Sequence, residues 1–384
     1  MIDLPFKNRS WQAGTEALRK ARIKLLSNLA LVVAATLVAA PAQSADVFLD
    51  SISRVKVLSF CGEPVPFSIP DVQERFEKEM LLNLSDRPQV LLWLKRETRY
   101  LGYIREELKA RNMPLDLQYL AIAESALRPH AGSTKGAIGF WQLLSETARN
   151  YGLTVDDYVD ERRQLEASTR AALNYLDALY QRFGSWTLAA AAYNMGEEGL
   201  AAEILEQNTK DYYKLYLPLE TQRFVFRILA AKLILEAPQA FGFEVNPDET
   251  YLPLAYDTVI VNCFDQTPIR LVAEAAGTYF KKIKDLNPHL RGHYLREGRH
   301  SLRLPPGSGS GFDKRFSQLV EHFQNQSNQH IYIVKPGDSL SGIAEKFDIP
   351  LAALLIWNRV GLNQTIHPGD RLVIFPRKME EIKP

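Results

Sequence analysis

The sequence predicts an α+β protein of several domains, in which a mostly helical domain comes first and two small βααβ modules follow. Three observations lead to this fold class. Between Val72 and about Glu236, apolar residues recur at three- and four-residue spacing, which is typical of packed helices. After Pro247 the sequence changes to short apolar stretches, each followed by a helical pattern. The pattern recurs at an offset of 71 residues, as from Ala273 to Ala344, so one small unit is expected to occur twice.

The composition is that of an ordinary globular protein and argues against a nucleic-acid partner. The chain has 384 residues, which favours two or three domains, and its 46 basic residues stand against 45 acidic ones for a formal net charge of +1. Such a balance creates no strong positive field. We therefore expect no nucleic-acid partner, and the oligomeric state stays unknown at this point.

Residues 1–45 are predicted to be a secretory signal peptide. An apolar run from Leu25 to Ala40 precedes small residues that allow cleavage near Ala42 or Ala45. The basic residues before the run are Arg9, Arg19, Lys20, Arg22 and Lys24. The run has about 16 residues, short of the roughly 20 that a membrane span needs, although an uncleaved N-terminal anchor stays an alternative. We therefore expect export to the periplasm or cell envelope of a Gram-negative bacterium, with membrane association left open.

The helical domain is predicted to span residues 46–245, including an N-terminal helical extension, and one of its helices carries an unusual carboxylate. Pro114 suits a first helical turn and Pro129 discourages helix beyond Arg128, which puts Glu124 near the helix C-terminus. The residues that share its face are apolar: Leu117, Leu120 and Leu127.

Such a position is expected to raise the pKa of Glu124, because burial disfavours the anion and the negative end of the helix dipole does the same. A glutamic acid whose pKa moves from about 4.3 toward 6 can donate a proton near neutral pH. The alternative is a structural glutamate paired with an arginine, and the helix pattern alone does not decide between the two.

The segment after this helix has residue types that suit a sugar. It reads Ala131-Gly132-Ser133-Thr134-Lys135-Gly136-Ala137-Ile138-Gly139-Phe140-Trp141-Gln142. Glycines let the backbone approach a ligand closely, while tryptophan and glutamine can stack on a sugar and hydrogen-bond to its acetamido group. The segment therefore indicates a glycan-binding loop beside Glu124.

Taken together, these motifs resemble the family 1 lytic transglycosylases of the D type, whose catalytic domain is lysozyme-like and is called the SLT domain. The resemblance covers roughly residues 71–235. It rests on Glu124-Ser125, the loop above, Ser168-Thr169-Arg170-Ala171-Ala172, Ala192-Tyr193-Asn194-Met195-Gly196 and Leu217-Pro218-Leu219-Glu220-Thr221. Two features depart from the family: Phe224 stands where a tyrosine is frequent, and a lipid-bearing cysteine is missing. The first puts some hydrogen bonding in the cleft in doubt.

The resemblance implies a role for each matching residue. Glu124 is implied as the catalytic acid and base, and Glu220 as a supporting carboxylate. Contacts with substrate are implied for Ser125, Ser133, Gly139, Gln142, Tyr193, Asn194 and Glu220. For Tyr193 and Trp141 a place in the core is the alternative, and Ser133 and Glu220 could equally be structural.

The reaction implied is cleavage of peptidoglycan glycan strands between N-acetylmuramic acid and N-acetylglucosamine without water. Glu124 would protonate the glycosidic oxygen and then deprotonate the muramic C6 hydroxyl, which closes onto C1 as a 1,6-anhydro ring. One alternative is a hydrolytic, lysozyme-like muramidase with a second carboxylate such as Glu220 or Asp160. The other is a non-catalytic peptidoglycan-binding protein. We expect no cofactor and no metal, because His289 and His293 have no further ligand near them in the sequence.

The second module, residues 330–377, resembles a LysM domain. The resemblance rests on Tyr332-Ile333-Val334-Lys335-Pro336-Gly337-Asp338-Ser339-Leu340, Ile343-Ala344, Trp357-Asn358 and residues 366–372. It implies binding to the N-acetylglucosamine part of peptidoglycan. Ligand contacts are expected from Gly337, Asp338, Ser339, Ile349 and Pro350, and Asp338 is expected to cap the first helix of the module.

The first module, residues 255–306, is the more divergent copy. It carries Phe264-Asp265-Gln266-Thr267 in place of the Pro-Gly-Asp turn, so it could be structural only. Residues 307–329 are expected to be a linker, because flexible or polar runs at 305–311 and 324–329 bracket a charged helical segment.

Cys61 and Cys263 are a candidate disulfide, since an exported chain meets an oxidising compartment in which such pairs are stable. The alternative is two buried free thiols.

Overall fold

The computed structural model of the protein describes residues 50–329 and 331–375, so the expected signal peptide lies outside the described residues. The helical domain begins with a hairpin of β1 (Ser59–Phe60) and β2 (Glu63–Pro64). Its helices are α1 (Pro70–Ser85), α2 (Arg87–Ala110), α3 (Gln118–Ser125), α4 (Ser145–Asn150), α5 (Leu165–Phe183), α6 (Trp186–Met195), α7 (Glu197–Glu206) and α8 (Leu219–Glu236). Single 3-10 turns lie at Leu115–Leu117, Glu161–Arg163, Tyr212–Lys214, Pro238–Phe241 and Pro247–Glu249.

Helix α8 is the centre of the helical domain. Phe224 and Ile228 lie on one side of it and Phe226 on the opposite side, and all three are fully buried, as expected for a helix that is apolar on several faces. It packs against α1, α3 and α6. The buried alanines at 189–192 on α6 allow close helix packing. Because α3 carries Glu124, this packing brings the ends of α3, α6 and α8 toward one site.

The first module is a βααβ unit. Strand β3 (Asp257–Cys263) pairs antiparallel with β6 (Gly298–Leu304), and β4 (Thr267–Pro268) pairs with β5 (Tyr294–Leu295). Helices α9 (Ile269–Ala275) and α10 (Phe280–Leu286) lie between the strands in the chain. The first helix and the last strand supply much of its core, for example Ile269, Val272 and Leu302.

The helical segment expected within residues 307–329 is present, but it belongs to the first module and is not a linker. Residues Phe312–Gln329 form one helix, α11, which packs on α9. Phe312 and Phe316 lie in the core of the first module, and Leu319, Val320 and Phe323 continue the same apolar stripe. The stripe has helical spacing and is masked in the sequence by the polar residues between its members. The first module therefore includes α11, and the polar run at 324–329 continues the helix.

The second module repeats the βααβ plan. Strand β7 (Ile331–Ile333) pairs antiparallel with β8 (Arg371–Val373), and α12 (Leu340–Lys346) and α13 (Leu351–Asn358) lie between them in the chain. Its small core is aliphatic and includes Val334, Ile343, Leu354 and Leu372.

One asparagine makes the same bonds in both modules. In the first, Asn287 Nδ2 donates to Ile283 O at 2.8 Å, and Asn287 Oδ1 accepts from Arg303 N at 2.8 Å. In the second, Asn358 Nδ2 donates to Leu354 O at 3.0 Å, and Asn358 Oδ1 accepts from Val373 N at 2.6 Å. Each asparagine joins the end of the second helix to the last strand, which agrees with an internal repeat.

The predicted fold class is confirmed, since a mostly helical domain precedes two βααβ modules. Within residues 50–329 and 331–375, no helix combines the length and apolar character that crossing a bilayer requires.

Candidate active site

Glu124 is the second-last residue of α3, which ends at Ser125 rather than at Arg128. The helix stops there because Ala126 and Leu127 adopt left-handed backbone angles, with φ of 53° and 58°. Two consecutive non-glycine residues in this region cost backbone energy, and such strain clusters at functional sites.

The Glu124 carboxyl is protonated at neutral pH. Burial raises the pKa of Glu124 to about 8, with Arg227 acting against the rise and Glu220 adding to it. The side chain is still partly open to solvent. Arg227 lies 3.7 Å from Glu220, and no ion pair joins an arginine to Glu124 within the described part of the chain. Glu124 is therefore not a structural glutamate that forms an ion pair with an arginine.

Ser133 shapes the loop that follows α3, which we call the active-site loop (residues 131–143). Its Oγ accepts a hydrogen bond from Ala137 N at 3.1 Å, and Gly136 N donates to Ser133 O at 3.0 Å. The residue is exposed. The hydroxyl thus organises the loop at a position where a ligand could also reach it.

Gly139 is required by packing within the protein. Its φ is +87°, and a Cβ there would lie 1.9 Å from Arg162 O. A glycine at this position therefore allows close contact with the Arg162 backbone. The close contact had been expected with a ligand.

Gln142 is fixed with its amide group turned into the loop. Its Nε2 donates to Ala131 O at 3.0 Å and to Gly139 O at 2.9 Å. No described residue donates to its Oε1, and the side chain is half-buried. The carboxamide oxygen can therefore accept a hydrogen bond from a bound molecule.

Ser125 and Trp141 belong to the core and not to the cleft surface. Ser125 is 2% exposed and its hydroxyl lies 2.7 Å from Phe140 O. Trp141 is fully buried and its Nε1 donates to Thr169 Oγ1 at 3.0 Å. The expectations that Ser125 contacts substrate and that Trp141 stacks on a sugar are wrong, because neither side chain has a surface to offer.

Tyr193 and Asn194 approach Glu124 from the end of α6. The Tyr193 hydroxyl donates to Trp141 O at 2.7 Å. Burial raises the pKa of Tyr193 well above its usual value and the Glu124 charge adds to the rise, so the two side chains are neighbours. Asn194 Oδ1 accepts a hydrogen bond from Thr221 Oγ1 at 2.8 Å, which joins α6 to the start of α8. Both residues are partly exposed.

Asp160 and Glu220, the two carboxylates that could serve a hydrolytic reaction, differ in their exposure to a substrate. Asp160 is 2% exposed and accepts two hydrogen bonds from Arg162, at 2.8 and 2.9 Å. Glu220 lies in the first turn of α8 with its side chain 63% exposed, 3.7 Å from Arg227. Of these two, only Glu220 is free to face a substrate.

Arg227 is a further residue of the site that the sequence motifs did not predict. It stands seven residues after Glu220, two helical turns along the same face of α8, and this spacing was the signal that could have found it. Its guanidinium lies 5.5 Å from the centre of the Phe224 ring, and Phe224 is fully buried. Phe224, which replaces the frequent tyrosine, therefore packs against the arginine whose charge lowers the pKa of Glu124.

The comparisons with known proteins identify the domains and the family of the chain. Residues 102–216 match the family model described as the transglycosylase SLT domain, and residues 332–375 match the LysM domain. The chain is 32% identical over 334 residues to membrane-bound lytic murein transglycosylase D of Escherichia coli (strain K12), a match that covers 82% of this chain and 72% of that protein. The chain belongs to the lytic murein transglycosylase D family. Candidate residues Glu124 to Asn194 lie inside the SLT match, and Glu220 lies just beyond it.

Two further relatives cover less of the transglycosylase. Peptidoglycan transglycosylase gp16 of Escherichia phage T7 is 35% identical over 114 residues, 29% of this chain and 9% of that protein. The crystal structure of the 70 kDa soluble lytic transglycosylase from Escherichia coli is 19% identical, covers 43% of this chain and 30% of that chain, and gives a TM-score of 0.33.

The LysM module of the transglycosylase exposes most of its candidate residues. Gly337, with φ +87°, and Ser339 and Pro350 are at the surface. Ile349 is 8% exposed and its side chain is part of the core, so a contact of this stretch with glycan would come from the backbone or from Pro350. Asp338 is half-buried.

The helix cap of this module is Ser339 rather than Asp338. Ser339 Oγ accepts from Gly342 N at 3.1 Å. Asp338 instead closes the preceding turn, because its carboxylate accepts from Lys335 N at 2.7 Å and Tyr332 OH at 2.8 Å. These bonds lower the pKa of Asp338.

The candidate disulfide of the transglycosylase is not formed, and both cysteines are free thiols. Cys61 lies at the β1–β2 turn, where its N–H donates to Asp116 at 2.7 Å. Cys263 belongs to the core of the first module. The two residues thus belong to different domains.

Proposed function

We propose that the protein cleaves the β-1,4 bond between N-acetylmuramic acid and N-acetylglucosamine in peptidoglycan without water, leaving 1,6-anhydromuramic ends. The observation that carries this proposal is the state of Glu124: it is one protonated carboxyl in a partly open site, and burial raises its pKa to about 8. The Asp160 carboxylate is buried and bound by Arg162, so it is not a partner for Glu124.

The first step needs an acid, and Glu124 has the right form for it. A pKa of about 8 keeps the proton on at neutral pH, so Glu124 donates it to the glycosidic oxygen as the bond from that oxygen to the muramic C1 breaks. Positive charge develops at C1, and the leaving N-acetylglucosamine departs with its hydroxyl restored.

The second step needs a base, and the same residue has become one. The Glu124 carboxylate takes the proton from the muramic C6 hydroxyl, and the C6 oxygen bonds to C1. The residue ends protonated as it began, and no water is consumed. A carboxylate with a raised pKa is a stronger base than an ordinary one, so the same burial supports both proton transfers.

The surrounding polar groups are proposed to hold the glycan. The Gln142 carboxamide oxygen, Asn194 and the Ser133 hydroxyl are accessible and fixed by hydrogen bonds to the protein, which reduces the entropy lost on binding. Tyr193 lies beside Glu124, and Glu220 sits on the open side of the site, where its charge adds to the raised pKa of Glu124.

A hydrolytic muramidase is the second candidate, because Glu220 is exposed and close enough to act on the pKa of Glu124. In that reaction Glu220 would activate a water molecule or form a bond to the sugar. The two reactions differ in product, since an anhydro end is lighter than a reducing end by one water molecule.

Mass spectrometry of digested sacculi tests the proposal. The parent protein should release anhydro-muropeptides, and Glu124→Gln should reduce their release by about 10²- to 10⁴-fold while sacculus binding is kept. Glu206→Gln, at an exposed site on α7, is the matched control and should behave as the parent. Products with reducing ends would favour the muramidase, and undiminished cleavage by Glu124→Gln would refute the site.

The LysM module is proposed to hold the same polymer through the surface around Gly337, Asp338, Ser339 and Pro350. Tethering raises the local concentration of an insoluble substrate at the active site. We further propose that residues 1–45 direct export to the periplasm, where the protein stays at the cell envelope. N-terminal sequencing of the mature protein should find a start just after Ala42 or Ala45, and an intact Met1 would indicate an uncleaved anchor.

A further inference from the structure

The first module is joined to the helical domain by backbone hydrogen bonds. Asp160 N donates to His289 O at 2.8 Å, and Arg291 N donates to Tyr158 O at 2.7 Å. Between them, Val159 and Leu290 form an antiparallel bridge. A segment of the helical domain and the loop after α10 thus pair like two short strands.

Ion pairs lie on both sides of this bridge. Arg296 Nη1 is 2.9 Å from Asp156 Oδ2, and Arg303 Nη2 is 2.6 Å from Glu166 Oε2. The second pair is shielded from water, with side chains 18% and 23% exposed. Charged pairs that are partly buried are screened less than surface pairs, so this one fixes the two domains more firmly. Arg291 Nη1 adds a hydrogen bond to Asp156 O at 2.7 Å.

The joined segment holds the active-site loop. The Asp160 carboxylate binds the Arg162 guanidinium through two hydrogen bonds. Arg162 Nη1 then donates to Gly136 O at 3.0 Å, near the middle of the loop, and to Leu143 O at 3.1 Å, at its end. Gly139, between these points, lies directly against the Arg162 backbone.

The active-site loop in turn contacts the residues around Glu124. Phe140 O accepts the hydrogen bond of Ser125, the residue after Glu124, and Trp141 O accepts that of Tyr193. Hydrogen bonds and the backbone of the active-site loop therefore connect the first module, through Asp160 and Arg162, to Ser125 and Tyr193, the neighbours of Glu124.

We propose that the first module is a positioning element of the active site: its loop at residues 289–291 holds Asp160 and Arg162, which keep the active-site loop in register with Glu124. Its divergence agrees with this role, because it lacks the Pro-Gly-Asp turn of the second module. The proposal rests on the proposed function for its readout, and Arg296 and Arg303 are its positioning residues.

The test separates positioning from glycan binding. In the full-length protein, Arg296→Ala with Arg303→Ala removes both ion pairs, and we expect kcat on soluble glycan oligomers to fall about tenfold or more, since small displacements of catalytic groups have effects of this size. KM and sacculus binding should change less than twofold. Arg299→Ala, an exposed arginine on the same strand β6, is the matched control and should leave kcat unchanged.

Rescue excludes a merely structural defect. The variant Arg303→Glu should lower kcat, and combining it with Glu166→Arg should restore much of the loss by re-forming the pair with reversed charges. Should the double alanine variant fail to fold, Arg296→Ala alone carries the test, because its pair with Asp156 is more exposed.

Two results would overturn the proposal. One is an unchanged kcat although hydrogen exchange at residues 158–161 shows that the bridge has opened. The other is a loss of sacculus binding with kcat retained, which would make the first module a glycan-binding unit. If the parent protein itself releases no anhydro product, the proposed function fails instead, and this outcome is visible before any variant is made.

Discussion

Glu124 is an acid at a pH where most glutamates are anions. The sequence predicted a raised pKa from its apolar helix face, and burial is indeed the main cause. Its modulators, Arg227 and Glu220, come from α8, about a hundred residues later in the chain, and the sequence reasoning did not bring Arg227 to the site. Likewise Ser125 follows Glu124 directly in the sequence. Only the folded loop shows that its hydroxyl donates a hydrogen bond to Phe140 O.

The protonation state of Glu124 predicts the pH dependence of catalysis. Because the acid form is needed first and its pKa in the free protein is about 8, kcat/KM should be nearly constant between pH 6 and 7 and should fall about tenfold per pH unit well above pH 8. A profile of kcat/KM on soluble glycan oligomers measures this. An alkaline limb already near pH 5 would contradict the raised pKa.

The same pKa predicts a stability difference. The unfolded chain loses the Glu124 proton near pH 4.5 and the folded protein near pH 8, so folding binds a proton between these values and stability falls as pH rises through them. Glu124→Gln removes the charge and should be more stable than the parent above pH 8 by on the order of 3 kcal/mol, after allowance for the part of the side chain in water. Denaturant unfolding at pH 4 and pH 8.5 measures it, and the gain should vanish at pH 4. The exposed variant Glu206→Gln is the control, and an equal gain of Glu124→Gln at both pH values would contradict the ionisation argument.

At the scale of elements, the sequence located helices well and their ends less well. Pro129 was expected to stop α3, but the stop occurs at Ser125 because Ala126 and Leu127 turn left-handed, and no residue type there signals it. The helix cap at Ser339 was assigned one residue early, because both Asp and Ser are good caps and only hydrogen bonds distinguish them. The spacing of apolar residues predicted the helices, because a helix with one buried face has apolar residues at three- and four-residue intervals.

The active-site loop offers a matched pair of glycines for a test. Gly139 and Gly136 both have positive φ, +87° and +82°, but a Cβ at Gly139 would overlap Arg162 O, while nothing lies within 4 Å of one at Gly136. Gly136→Ala should cost about 1 kcal/mol of unfolding free energy from backbone strain. Gly139→Ala should cost several-fold more, or displace the loop, and should reduce kcat by about 10²-fold. Denaturant unfolding and kcat measure both, and equal effects would show that contact with Arg162 is unimportant.

At the scale of the whole molecule, the helical domain and the two small modules were predicted from the sequence, but the way in which they are joined was not. The segment 307–329 was assigned as a linker by its glycines and polar residues, yet α11 completes the core of the first module. Contacts continue to the second module, where the Arg359 guanidinium lies 4.5 Å from the centre of the Tyr294 ring. A helix that buries only one narrow apolar stripe has a mostly polar composition. Composition alone therefore does not distinguish such a helix from a flexible linker.

The role of α11 is open to a direct test. Phe312→Ala should lower the free energy of unfolding of the first module by about 3 to 5 kcal/mol, because Phe312 is fully buried there. Phe264→Ala, at a position that is 91% exposed in the same module, should change it by less than about 0.5 kcal/mol. Calorimetry of the full-length protein measures both. A flexible linker would make the two variants indistinguishable.

The paired asparagines, Asn287 and Asn358, have an evolutionary consequence. Each fastens its module internally, between a helix end and the last strand, away from the turn that the LysM resemblance assigns to the ligand. After a duplication, one copy could therefore change its outer loops without losing its fold. In this way, two identical glycan-binding modules could have become one glycan-binding module and one module that positions the active site.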